Sequence, residues 1–375
     1  MNIRQALPIL LAALCLPSIG AANDDSFIPA DGADVGEQLF SLNVSGEPAE
    51  AWNTGWSFTF DNDVLARRDW DRDYTGGVSV ELSGARASAY RFSAGHALEW
   101  INDKLDRNGT SEDLPSSNAI QFGVLMFTPE DFRNKVAQAG DRPYANLVFL
   151  SNSRFELDSG SRRAYQTSFT VGVLGSGFGE ALQRAAHRVS ASATPVGYGR
   201  QISDGGEFTA RYSFSRQSLL RSRTGAQGRS FQLKYAVGGS VGYLTEGSGT
   251  IAVRWGTASS RWWEFAPTLN NYVPAPNPRM NGYNNRSRES YFWASATLRA
   301  KAYDAFLQGQ FRSSRVTYAN DDINQMVGEL SIGWTVKLSR ELTLSQSVHY
   351  QTQQVRRGVA ARDHAWGSFS VARNF

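Results

Sequence analysis

Apolar residues recur at every second position over most of this chain. In 326–339, Leu330, Ile332, Trp334, Val336 and Leu338 share one face, while Ser331, Gly333, Thr335 and Lys337 share the other. In 229–237, Phe231, Leu233, Tyr235 and Val237 oppose Gln232 and Lys234. In 207–215, Phe208, Ala210, Tyr212 and Phe214 oppose Thr209, Arg211 and Ser213. Period two over about ten residues marks a β-strand with one apolar face. Twelve such segments are predicted, at 55–63, 76–84, 117–128, 144–156, 162–175, 207–219, 229–241, 248–257, 290–302, 326–339, 341–352 and 364–375. An even number of antiparallel strands closes a barrel and leaves no open edge. A soluble sandwich shows the same alternation. The length of these segments and the aromatics on their apolar face favour an all-β transmembrane barrel.

The N-terminus strengthens that reading. "MNIRQALPILLAALCLPSIGAAN" has a basic start at Arg4, an apolar core and the small residues Gly20, Ala21 and Ala22. This pattern predicts a signal peptide over 1–22, to be set aside from the fold. The single cysteine, Cys15, lies inside it, and Leu14 before it is not the small residue that a lipoprotein signal wants. The predicted organisation is then an N-terminal periplasmic extension over 23–54 and a barrel over 55–375. Periplasmic insertions are expected near 85–115 and 258–288, far from the outer rim, with plugging the lumen and contacting a partner as the two roles open to them. The last residue, Phe375, is in step with Phe369 and Val371, and this ending resembles the assembly signal of bacterial outer-membrane barrels. Arg373 departs from that pattern, because its position is usually apolar.

Charge and hydropathy change little. A formal net charge of +3 over 375 residues gives no argument for nucleic acid as a partner. A mean hydropathy of −0.38 suits a barrel, whose strands are only half apolar.

Candidate chemistry sits in the connections. With both chain ends on the periplasmic side, the odd-numbered connections face outward. The first joins the stretch "FTFDNDVLARRDWDRDYTGG", residues 58–77, across the outer rim. Parity puts Asn62 with Phe58 and Phe60 on the lipid side, and Asp63 with Thr59 inward. The third outer connection carries "FGEALQRAAHRVSA", in which Leu182, Ala185, Ala186 and Val189 recur at helical spacing, so a short loop helix is predicted. The glycines before it lack the Lys-Ser/Thr pair of a phosphate loop, and "GSGFG" lacks the register of a lipase elbow.

At these residues the chain resembles the lipid A 3'-O-deacylase (LpxR-type) family. The matching pieces are "FDND", "DRDYTGG", "FTPEDF", "DRPYA" and "VGVLGSGFGEALQRAAHRV", spread over about residues 55–205, with a looser "DAFLQGQ" near 305. The resemblance implies a twelve-stranded outer-membrane barrel. It also implies calcium-dependent hydrolysis of the ester that holds the 3'-acyloxyacyl chain on lipid A. Asn62, Asp63, Thr75 and His187 match its functional positions.

The residues themselves admit that chemistry and blander readings. Ester hydrolysis needs a base for water and positive charge for the oxyanion. His187 is the natural base, since an unperturbed histidine titrates close to neutral pH, although a lone helix histidine also serves as a plain surface residue. Asp63 and Asn62 offer hard oxygens for calcium. The cluster Asp61, Asp63, Asp69, Asp71 and Asp73 is also what a solvated loop contains, and it lacks the EF-hand glycine and glutamate. Arg133, Arg142 and Arg188 are candidates for the phosphates of lipopolysaccharide, against ordinary loop solvation. A monomer in the outer membrane is expected, with lipid A as its partner. The alternatives are another barrel esterase or phospholipase, or a barrel with no enzymatic activity.

Overall fold

The computed structural model describes residues 52–66, 72–104, 116–134, 136, 138–158, 162–189, 196–225, 229–265, 272 and 288–374. The predicted signal peptide and most of the N-terminal extension lie outside these residues. The strands are β1 (Gly55–Asn62), β2 (Asp73–Ser83), β3 (Ser116–Thr128), β4 (Ala145–Asp158), β5 (Arg163–Leu174) and β6 (Glu207–Thr224). They continue with β7 (Ser230–Gly242), β8 (Leu244–Thr257), β9 (Glu289–Asp304), β10 (Met326–Lys337), β11 (Leu342–Gln351) and β12 (His364–Asn374). The helices are short: α1 (Arg86–Ala89), α2 (Gly95–Lys104), α3 (Gly177–Val189) and α4 (Ala305–Gln308). Each strand pairs antiparallel with its sequence neighbours, and β1 pairs with β12, so the sheet is a closed twelve-stranded barrel.

All twelve expected strands are present, and their ends differ where side chains gave no signal. β8 starts at Leu244 rather than 248, because Thr245, Glu246 and Gly247 after Leu244 show no apolar alternation. β6 runs on to Thr224 through a bulge between Leu219 and Arg221, where backbone pairing with β7 outlasts the apolar pattern. β2 starts at Asp73, and a bulge between Tyr74 and Gly76 interrupts its register with β3.

Alternation sorts side chains across the wall. Phe58, Val80, Phe122 and Val171 lie outward on paired positions and are exposed. Thr59, Ser79, Gln121 and Ser151 point inward and are buried. The lumen holds charges that pair with one another. Arg299 lies between Glu246 (3.3 Å) and Glu329 (3.4 Å), Arg211 reaches Glu246 at 3.5 Å, and Lys301 meets Asp304 at 2.8 Å. Buried charge is costly unless partnered, so the lumen tolerates these residues only as a network. His349 lines the lumen. Its ring hydrogen-bonds Ser331 (2.8 Å) and Ser347 (2.9 Å) and stacks on Trp366 with centroids 5.0 Å apart.

The β8–β9 connection starts and ends on the periplasmic side, and of the two roles open to it, plugging the lumen or contacting a partner, its described residues take the first: they pack inside the lumen. Trp262 and Trp263 pack on the inward Phe155, Leu157 and Ala164, and Phe265 packs on Ala252, Tyr291 and Trp293. Lys234 donates to the carbonyls of Trp263 and Phe265, which fixes the connection to the wall. Tyr272 lies at the outer end, its ring against Tyr74 (4.6 Å), Phe127 (4.8 Å) and Trp366 (6.0 Å). The connection enters because its aromatics find inward apolar residues at both ends of an otherwise polar lumen.

With Trp263, Phe265 and Tyr272 packed inward, the lumen is expected to be closed to ions. Full-length protein in planar bilayers is expected to give no steady channels, while replacing 259–287 by a short Gly-Ser turn opens them. Large steady conductance from the intact chain would contradict the packing of Trp263, Phe265 and Tyr272.

Candidate active site

The site begins where β1 ends. After Asn62 the chain makes one 3-10 turn, Asp63–Leu65, and returns at Arg72. The Asp63 carboxylate accepts the Arg72 backbone N–H at 2.7 Å, closing the loop, and is 1 % exposed. The bulge in β2 takes Thr75 out of register. Its carbonyl then accepts the Asn62 side-chain amide at 3.0 Å, and its hydroxyl lies 2.5 Å from that of Thr128. Asn62, Asp63 and Thr75, singled out in the sequence, are thus brought together. Gly76 permits this approach: a Cβ there would come 2.7 Å from the Asp61 carbonyl oxygen.

The inner side of the wall braces this corner. Asp61 accepts a hydrogen bond from the Tyr74 hydroxyl at 2.9 Å. Tyr74 is held among Phe127, Tyr272 and Trp366. Asp73 has a left-handed backbone (φ 63°), and both its oxygens bind Arg362, at 2.8 and 3.0 Å. Arg362 also reaches Asp141 (2.9 Å) and Glu130 (3.4 Å), and Glu130 pairs with Arg72. Burial alone would lower the Arg362 pKa, but Asp73 and Asp141 outweigh it and hold it above its usual value. Of the expected aspartate cluster, Asp61 and Asp73 are therefore committed to Tyr74 and Arg362. Asp69 and Asp71 lie outside the described residues.

The candidate arginines separate. Arg133 is exposed, its guanidinium 5.7 Å from the Phe132 ring centroid. Arg142 turns inward, contrary to the expectation that it meets lipopolysaccharide phosphates. It is 3 % exposed, 4.5 Å over the Phe127 ring, and donates to Gln354 (3.2 Å) and Tyr272 (3.4 Å). A desolvated cation over an aromatic ring gains about 2 kcal/mol, which the lumen aromatics supply and a solvated loop does not. Arg188 and His187 belong to α3, but their side chains lie outside the described residues.

The predicted loop helix is present as α3, and its docking point is instructive. Asn62, Gly76, Met126 and Asn146 form one paired row across β1 to β4, on the outward face. At Asn146 the chain leaves β5. Gly175 N–H donates to the Asn146 carbonyl (2.8 Å), and Ser176 N–H donates to its side chain (3.2 Å). A Cβ on Gly179 would come 2.5 Å from the Asn146 side chain, so α3 starts pressed against β4 and packs on β3 and β4. Asn146 and its partner Gln201 were missed in the sequence. A polar residue on an outward position of β4 was the available signal. Glu207, at the start of β6, is engaged by Ser203 and by the backbone of Phe311 (2.7 Å) and Arg312 (3.2 Å).

The Asp63 carboxylate, the Asn62 amide oxygen and the oxygens of Thr75 fit calcium in kind, being hard donors on adjacent segments. Among the described residues, no group of three or more His, Cys, Asp and Glu side chains gathers, so any calcium here would also draw on amide, hydroxyl and carbonyl oxygens.

The family profile described as "Outer membrane protein LpxR" matches residues 12–375. The chain belongs to the LpxR family. It is an outer-membrane barrel, as the strand pattern anticipated. Its structure is similar to that of LpxR from Salmonella typhimurium, with a TM-score of 0.65 at 16 % identity, over 86 % of this chain and all of that one. The β domain of the Bordetella autotransporter BrkA is far less similar, with a TM-score of 0.39 at 9 % identity over 86 % of this chain and 99 % of that one. Comparison with curated protein sequences returns no match.

In this LpxR-family chain, the Arg362 to Asp73 pair is a stability element of the rim. Arg362→Ala leaves a buried carboxylate without its cation, which typically costs about 3–5 kcal/mol. Denaturant unfolding in detergent, followed by tryptophan fluorescence, is expected to show that loss. An unchanged midpoint would mean the pair does not hold the rim.

Proposed function

We propose that this chain is a lipid A deacylase of the outer membrane, hydrolysing the ester of the 3'-acyloxyacyl chain with His187 as general base. The observation that carries this reading is the outward row from Asn62 to Asn146. Three strand spacings of about 4.8 Å separate its ends by ~14 Å. His187 lies eight residues beyond Gly179, or ~12 Å along the helix. A helix that starts over Asn146 and crosses β3 toward β1 has the reach to bring His187 to the Asn62, Asp63 and Thr75 corner. That corner straddles the outer rim, with Asn62 on the outward row, so that an ester can reach it while its acyl chain stays in the bilayer.

The chemistry follows from the groups. Neutral His187 takes a proton from water as the hydroxide attacks the ester carbonyl. The tetrahedral oxyanion then collapses and expels the sugar 3'-oxygen, which recovers the proton from the imidazolium. The Asn62 amide N–H₂ is already held by the Thr75 carbonyl, so Asn62 and Thr75 act together in positioning. Asp63 and Asn62 would hold calcium, whose charge favours an oxyanion nearby. Arg133 and Arg188 are the candidates for lipopolysaccharide phosphates.

Measurements on lipid A, on His187, on pH and on calcium test this. Lipid A from cells making the protein is expected to be lighter by one acyloxyacyl unit at the 3' position in mass spectra. Unchanged lipid A, with phospholipid cleaved by the purified protein, would replace the substrate. A positioned base contributes ~10²–10⁴-fold, so His187→Ala should lower turnover by that order without unfolding the barrel. Activity should rise with pH through the range where imidazole loses its proton, about 6.5. Asp63→Asn should abolish most activity, and a chelator should do so reversibly. Full turnover in excess chelator would remove calcium from the reading.

A further inference from the structure

The lower outward face of the wall is not apolar everywhere. Asn152 lies on the same outward row as Leu82, Ile120, Phe169 and Tyr212. An amide that faces hydrocarbon with no partner is strongly disfavoured. Asn152 is instead fully used. It accepts the Ala94 backbone N–H at 2.7 Å, and donates to the Ala87 carbonyl at 3.2 Å and the Ser93 hydroxyl at 2.7 Å. Further along, Asn102 donates to Thr167 at 3.1 Å and accepts from Tyr212 at 3.2 Å, both outward residues. The α1–α2 hairpin therefore lies against the outside of the barrel wall rather than beneath its mouth.

Its two faces are distinct. Leu98 and Asn102, four residues apart on α2, meet the wall, and Leu98 is 2 % exposed. His96 and Trp100, also four apart, face away, with Trp100 63 % exposed. Phe92 (85 %) and Tyr90 (42 %) in the α1–α2 turn are exposed too, as is Trp52 (61 %) just before β1. These aromatics continue the exposed apolar band formed by Phe58, Val80 and Phe122.

We propose that the α1–α2 hairpin is a monolayer anchor, seated in the periplasmic leaflet of the outer membrane with phospholipid as its partner. Phe92 and Trp100 enter the boundary between headgroups and acyl chains, where aromatic side chains are favoured. Exposed Arg91 lies beside them, within reach of lipid phosphate. The hairpin thus covers polar wall positions on one side and extends the lipid contact of the barrel on the other.

The single cysteine makes the test direct. In full-length protein carrying Cys15→Ser, a nitroxide is placed at Phe92→Cys or at Trp100→Cys, in vesicles of phosphatidylethanolamine and phosphatidylglycerol. Phe122→Cys serves as the lipid reference and Thr224→Cys as the aqueous one. Collision rates with oxygen and with a water-soluble nickel chelate are read by power saturation. Both hairpin labels should collide with oxygen several-fold more effectively than with the chelate, approaching the Phe122 label. Chelate collisions equal to those at Thr224 would place the hairpin in water and overturn the anchor. Low collision with both reagents would mean a protein covers this face, which overturns it equally. The readout does not depend on any enzymatic activity.

Discussion

Closure of the sheet is the constraint on which everything else rests. In hydrocarbon, a strand edge with unpaired N–H and C=O groups is not tolerated, so β1 must meet β12. Once the ring closes, every strand has a fixed inward and outward parity. Polar residues at inward positions are then removed from lipid and from bulk water alike. The paired charges around Arg299 and the hydrogen-bonded His349 follow from this geometry, since an unpartnered charge could not persist there.

Closure also makes the outer rim of β1 to β4 a shared platform. The bulge at Tyr74 to Gly76 turns Thr75 toward Asn62, and α3 docks on the same outward row at Asn146. The corner is braced from inside by the Tyr74 hydroxyl on Asp61, and Tyr74 is held in turn by Tyr272. A residue of the β8–β9 connection, at the periplasmic end of both strands, thus supports the inner side of the wall behind the proposed ester site.

Much of this was legible in the sequence. Alternation alone located the twelve strands, because a wall between lipid and a polar lumen imposes period two on every segment. The ends were legible only where side chains contrast, which is why the start of β8 and the polar end of β6 were displaced. The helix of α3 was visible from its apolar spacing. Asn62, Asp63 and Thr75 were visible as a polar cluster ending an apolar strand, together with a family resemblance.

Long-range partnership was not legible. Nothing local in Arg142 says that it turns into the lumen over Phe127, or in Arg362 that it seizes Asp73 from 289 residues away. Nothing in the aromatic run at 262–265 says that it enters the barrel, or in residues 86–104 that they lie on the outside of the wall. The sequence by itself determined strand number, facing and the polar corner, because these depend on neighbours one to four residues away. The tertiary structure alone decided which charges pair, which insertion fills the lumen and which clasps the wall. Those outcomes depend on the register of a closed ring, and register is a property of strands paired across the whole chain.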